Sequence, residues 1–532
     1  MRGTYLTAIL VVFAAIAAAA PPPGEAEQPT PAVILEYDNN VFIDANNILM
    51  FITNHGQFGR DLANVFGYSY GTWFPYTGDT AAIADNLNGA GEHSPQYAAG
   101  LWIAGVDGAD IKVAICSQNT DEYTPGPMAD SSFVPDDPAY KVYKLYSDSL
   151  EGNPNSDYTN WPEGQGAPVD ALGNPVMLGD QMLWSVFNDA NPARHTVTGG
   201  KTPPLAVEIR HTTYAYDRTD YRGYVVFLRY KLYNRGPNTL TDCYVGIWAD
   251  PDIGNSSDDL TGCDTTSDIF YAYNGYSTDA QYGSNPPAMA YKILKGPIVP
   301  SVNDTAYFDG YLIPDCKNLR LESFRRYGTA DGPTDSSETY NIMRGLLKDG
   351  SPLVIGGTWD VPGDPIEEEG SYDLGPGDRA MLGCCGPFNF NPGDSQYVLV
   401  ALACGQGTDY KNSITVAINI LNQITDFPLD APPVQSRTLP SSFIVKQNYP
   451  NPFNPVTIIE YSLPARAQVN ISIYNILGQR VTTIVDSEQP AGTHTAVWDG
   501  RDQSGAPVSS GFYFYRVSAG ELIDTKKMLL LK

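Results

Sequence analysis

The stretch 224–234, YVVFLRYKLYN, is the longest run in the chain that alternates apolar and polar side chains, and it sets the period the fold is built on. A period of two puts successive side chains on opposite faces of a strand, as in a half-buried antiparallel sheet. RGPNTL follows as a turn and leads into TDCYVGIWAD (241–250), so the two runs are expected to form a long hairpin. Other strand candidates lie at 48–53, 98–104, 112–116, 205–212 and 397–404, separated by clusters of Gly, Pro, Asn and Asp. One helix stands out, in DYKNSITVAINILNQITDF (409–427). There Ile414, Ala417, Ile418 and Leu421 share a face, with Asn412 or Ser413 as the expected cap. The expected class is mainly β: a large sandwich-type region over 37–425, of one or two sandwiches, then a separate C-terminal sandwich.

The first residues, MRGTYLTAILVVFAAIAAAAPPP, place one Arg before a short apolar run that ends in small residues and prolines. Such a run reads as a signal peptide over 1–20, because a spanning helix needs about 20 apolar residues. A Pro-rich leader (21–36) follows, and the mature chain is expected to be exported, soluble and without a transmembrane segment. The net charge of −28, with 32 Lys and Arg against 60 Asp and Glu, repels phosphate backbones and excludes nucleic acid as a partner. Seven cysteines stand at 116, 243, 263, 316, 384, 385 and 404 without a C-x-x-C spacing, so no zinc site or thioredoxin-type pair is indicated. An oxidising compartment permits disulfides. Cys243 and Cys263, bracketing an acidic loop, are the preferred pair.

That loop, ADPDIGNSSDDLTGCDTTSD (249–268), is the strongest candidate site in the large region. Asp250, Asp252, Asp258, Asp259 and Asp264 supply clustered hard oxygens, which suit a structural Ca²⁺. The spacing departs from the D-x-[DN]-x-[DN]-G loop, and a solvated polar loop is the plainer expectation. GYSYG (67–71) matches G-x-S-x-G with Ser69 at the nucleophile position, but TWFPYTG follows where a helix is required. The five histidines form no H-E-x-x-H; His93 and His195 are expected at the surface. EEEG (367–370) is a charged loop before it is a catalytic set. Tyr-rich segments such as NDTAYFDGYL and YAYNGYSTDAQYG would suit a glycan surface, although Tyr also fills sheet faces. No catalytic residue is assigned, and the reading leans away from an enzyme.

DFPLDAPPVQSRTLP breaks periodicity and marks a linker (426–440). Beyond it, QNYPNPFNPVTIIEYSLP places Pro450, Pro452 and Pro455 in a stiff strap ahead of a strand. Six or seven short strands follow over 441–532, with turn signals between them, as in an immunoglobulin-like sandwich.

The set NYPNPFNP, TIIEYSLP, VNISIYNILGQRV, AGTHTAVWDGRDQSGAPVSSGFYFYRV and KKMLLLK resembles the C-terminal (type A) sorting domain of bacterial type IX secretion cargo. It is similar too to the Ig-like domain of flagellar hook-capping proteins. The resemblance covers about 90 residues and implies recognition by a secretion translocon, with delivery to the outer surface of a Gram-negative-type bacterium or to the medium. Its marker positions fall on Asn451, Pro452, Asn454 and Pro455, on Gly478 and Arg480, and on Lys526, Lys527 and the residues to Lys532. Upstream, MLGCCGPFNFNPGDSQYVLVALACGQGTDYKNSI and GLWIAGVDG resemble only uncharacterised exported proteins. The expected function is thus an exported surface or secreted protein whose large region binds an extracellular glycan or protein, or builds structure. A polysaccharide-active enzyme (a glycoside hydrolase) and an adhesin are the alternatives.

Overall fold

The computed structural model describes residues 39–531 except 64, 67–69, 81–82, 84–92, 119–120, 130–131, 134–136, 148–154, 171–172, 354–356, 426–441, 449–450, 454, 456, 465–466, 490–491 and 521. The signal peptide, the leader, the linker, Ser69 and Asn454 therefore lie outside the described residues. The chain divides into two compact units: residues up to 297 with 319–427, and Ile298–Asn318 with 428–532.

The first unit is built on two nine-stranded antiparallel sheets. The first sheet runs Asn40–Ile43, Leu49–Thr53, Gln57–Phe58, Ala98–Asp107, Leu240–Asp250, Arg379–Phe390, Ser323–Gly328, with Thr72–Trp73 paired to Leu49–Thr53 and Asp110–Ala114 to Ala98–Asp107 beside this order. The second runs Tyr143–Tyr146, Gln181–Asn188, Val207–Ala215, Val225–Asn234, Ser395–Gly405, Ala288–Lys295, Ile269–Asn274, Asp259–Asp264, with Thr124–Pro125 paired to Gln181–Asn188 beside this order. Their facing sides meet through residues such as Phe270 and Phe324, whose ring centroids are 5.9 Å apart. Gly383 lies on the same inner row as Phe324, and a methyl group there would strike the Phe270 ring. Burial of these inward side chains is the main favourable term in such a sandwich.

The expected hairpin is not one. Val225–Asn234 pairs with Val207–Ala215 and Ser395–Gly405 in the second sheet, while Leu240–Asp250 pairs with Ala98–Asp107 and Arg379–Phe390 in the first. The turn between them crosses from one sheet to the other. Asn234 holds that crossing: its side-chain amide donates to the carbonyls of Asn238 (3.0 Å) and Phe390 (2.7 Å), and its Oδ1 accepts the Gly236 N–H. Asp242 at φ 47° and register shifts around Cys243 bend the second strand away.

The helix Tyr410–Asn422 forms as expected and packs on the second sheet, burying Ile414, Ala417 and Leu421, but Ile420 is buried in place of the expected Ile418, which is only half-buried. Its cap is Asp409, whose side chain accepts the Asn412 N–H; Asn412 instead accepts the Thr408 N–H. A side chain at Gly405 would collide with the helix backbone at Ala417, so this glycine permits the close approach.

In the second unit, Ile298–Phe308 and Tyr311–Asn318 form a two-stranded sheet of their own. The C-terminal residues form a sandwich of a three-stranded sheet (Ile444–Val445, Thr457–Leu463, Gly492–Trp498) and a four-stranded one. The latter is ordered Arg480–Gln489, Ala467–Asn475, Gly511–Ala519, Leu522–Leu530. Its core takes the alternating Val469, Ile471 and Ile473 together with Trp498, Tyr515, Val517 and Met528. Among the described residues, no helix is long and apolar enough to cross a membrane.

Candidate functional sites

The acidic segment joins the two sheets of the first unit, leaving the first at Asp250 and entering the second at Asp259. Asp250, Asp252, Asp258 and Asp259 are all buried, not solvated. Asp264 is apart from them at the far end of Asp259–Asp264, where its carboxylate accepts the backbone N–H groups of Thr266 and Ser267. Gln118 donates to Asp250 Oδ2 at 2.5 Å, and Asp259 Oδ1 accepts the Ile253 N–H at 3.3 Å. Asp250 Oδ1 and Asp259 Oδ2 are buried with no hydrogen-bond partner among the described residues.

Burial disfavours the charged forms and raises each carboxyl above its usual range: Asp250 and Asp259 far above, and Asp252 to about 8. Repulsion among neighbouring carboxylates, Asp378 included, adds to it. Among the described residues, no group of three or more His, Cys, Asp or Glu side chains could hold a metal ion.

Gln118 also lines a cavity of about 250 Å³ bounded by Trp102, Trp248, Tyr327, Val197 and Thr334, among others. Trp102 and Trp248 lie on adjacent strands of the first sheet, nearly parallel at 11° with centroids 6.1 Å apart. Their exposures are only 2% and 4%, so they line the cavity and offer no open stacking platform. Tyr271 and Tyr273, from one of the Tyr-rich segments, are buried as well.

His195, expected at the surface, is buried; its Nε2 lies 2.7 Å from the Asp189 carbonyl oxygen and its Nδ1 3.8 Å from Glu122 Oε2. Glu122 is raised by burial to about 7, against which it accepts the backbone N–H groups of Lys201 and Ile115. No local motif announces this cluster, because its members are spread over some eighty positions and meet only in the fold. His55 and Asp121, 2.5 Å apart, form a second buried pair. All seven cysteines are free thiols. Cys243 lies beside Gly105 in the first sheet, whereas Cys263 lies in the second against the Asp360 carbonyl, so the expected disulfide does not join them.

In the C-terminal sandwich the strap runs along the end of the last strand. Asn451 Oδ1 accepts the Leu529 N–H (2.9 Å), the Phe453 N–H donates to the Leu529 carbonyl (3.0 Å), and the Leu531 N–H donates to the Phe453 carbonyl (2.9 Å). Phe453 is buried, its ring centroid 5.6 Å from that of Trp498. Proline suits this position because it need supply no ladder N–H, and the strap covers part of an otherwise open sheet edge. Gly478 takes φ 75° in a turn closed by Asn475, whose Oδ1 accepts the N–H groups of Leu477 and Gln479. Arg480 faces Tyr474 across the strand pair, and Lys526 and Lys527 lie on the final strand.

Residues 455–521 match the model of the FlgD Ig-like domain. No curated protein matches the chain. Among solved structures, FlgD from P. aeruginosa is similar at 25% identity and TM-score 0.12, covering 14% of this chain and 57% of its own. A polysaccharide lyase is similar at 8% identity and TM-score 0.18, covering 61% of this chain and 34% of its own. PorZ, a surface component of the type IX secretion system of Porphyromonas gingivalis, is similar at 11% identity and TM-score 0.15, covering 68% and 45%. The chain thus spans between a third and three fifths of the length of these proteins.

Proposed function

We propose that residues 441–532 are a C-terminal export label and that the large sandwich is the part delivered to the outer surface of a Gram-negative-type bacterium or to the medium. There the large sandwich acts as a binding or structural module. The observation that carries this reading is the strap. Within it, Asn451 and Phe453 are hydrogen-bonded at the end of the last strand, and Phe453 lies in the core of the label. The FlgD Ig-like match and the resemblance of the whole marker set to type IX sorting domains support it.

The test uses the full chain expressed in a bacterium that carries a type IX apparatus, beside a version ending at residue 440. Surface delivery of the full chain and periplasmic retention of the shortened one are expected. Equal delivery of both sinks the label.

A further inference from the structure

We propose that the outer face of the four-stranded sheet in the C-terminal sandwich is a docking surface for an acidic protein partner that also presents apolar side chains. This inference rests on the export reading and names the chemistry of its recognition step.

Register places Arg480, Tyr474, Phe514 and Lys527 in one row across all four strands. The neighbouring pair on the same face is Phe512 with Leu529. Outward positions of a sandwich strand are normally polar, since only the inner face meets the core. Here the outward positions of the two central strands at one end of the sheet, Tyr474, Phe512 and Phe514, are aromatic, with Leu529 beside them, while the inward ones build the core as usual.

The turn beyond Asn475 extends the patch, because pairing of Asn475 with Tyr513 brings it to the Phe512 end of the sheet. Ile476 and Leu477 are 70% and 77% exposed there, on a turn fixed by the Asn475 side chain. Two large apolar side chains held in water by a rigid turn are prepaid for association, because little conformational freedom is left to lose on docking.

Charge selects the partner. The chain carries 32 Lys and Arg against 60 Asp and Glu, but residues 441–532 carry eight against seven. On this face the cations are Arg480, Lys527 and, one row on, Arg516. Lys527 Nζ lies 4.9 Å from the Phe512 ring centroid, so the cation and the apolar patch are one surface. Asp486, two rows away, is engaged by the Gln468 amide. A surface of aromatics edged by cations is complementary to apolar side chains edged by carboxylates.

The test compares surface delivery of the full chain, the version ending at residue 440, the reversal pair Arg480→Glu with Lys527→Glu, and the conservative pair Arg480→Lys with Lys527→Arg. A further pair, Ile476→Ser with Leu477→Ser, removes the apolar turn without touching Asn475 or Gly478. Thermal unfolding of each purified chain reports the fold. Loss of roughly tenfold or more in delivery for the reversal and serine pairs, with unchanged unfolding and parental delivery for the conservative pair, is the expected result. If the shortened chain is retained but the reversal and serine pairs are delivered like the parent, the docking face is overturned and the export label stands. Delivery of the shortened chain overturns both. Retention of the purified full chain by phosphatidylglycerol vesicles, lost in the reversal pair, overturns the protein partner in favour of a membrane.

Discussion

Asn451 Oδ1 accepts the backbone N–H of Leu529 at 2.9 Å, a contact between residues 78 apart that ties the proline strap to the last strand of the chain. The strap's next residue but one, Phe453, is bonded on both sides to the same strand and packs on Trp498. The entry and the exit of the C-terminal sandwich therefore stabilise each other.

Truncating Phe453 tests that coupling. Phe453→Ala removes a ring from the core of the C-terminal sandwich and is expected to cost about 3–5 kcal/mol. Chemical denaturation followed by Trp498 fluorescence, with the other tryptophans replaced by Phe, would report it. A change below about 1 kcal/mol would show that the strap is not part of the core.

The acidic junction sets a pH dependence. Asp252 titrates near 8 when folded against 3.8 ordinarily, and Glu122 near 7 against 4.5, so the folded state holds protons that the unfolded chain releases. Their contribution is fully present below the unfolded values and is lost as pH rises through the folded ones. Thermal stability of the full chain is expected to fall between pH 5 and pH 8, by up to about 1.4 kcal/mol per pH unit for each such group. Asp252→Asn should flatten part of that slope and raise stability at pH 8. Calcium is the discriminating addition: an ion gathered among these carboxylates would lift the melting temperature at pH 8. The arrangement seen here is expected to give no response. A steeper slope in the Asn variant would overturn the assignment.

Thiol accessibility follows from burial. Cys316 is the partly exposed cysteine, and the other six are buried. One equivalent of a thiol reagent is expected to react quickly with the native chain and the rest only on unfolding. A Cys243–Cys263 bond would appear as two thiols missing from the unfolded count.

Gly246 lies where strand Leu240–Asp250 crosses Cys384. A methyl group there would sit 2.7 Å from the Gly383 carbonyl oxygen and against the Cys384 sulfur. Gly246→Ala is expected to destabilise by about 1–3 kcal/mol through overpacking. Gly393→Ala, with open space around the added carbon but φ 78°, serves as a comparison that carries backbone strain alone.

The sequence by itself determined the β class, the helix over 410–422, the position of the C-terminal sandwich and its alternating core, because these rest on periodicities of two and 3.6 that local physics enforces. Asn451, Gly478, Arg480 and Lys527 stand out only through the resemblance to sorting domains, not through periodicity or turn chemistry. Only the tertiary structure decided which strands are neighbours. Alternation says that 224–234 and 241–250 each have a buried face, but not that the chain changes sheets between them. The same limit hid the acidic cluster's burial and the meeting of Glu122 with His195. A carboxylate in a polar-looking loop reads as solvated until distant strands close over it, and what closes over it is set by long-range pairing rather than by its neighbours in sequence.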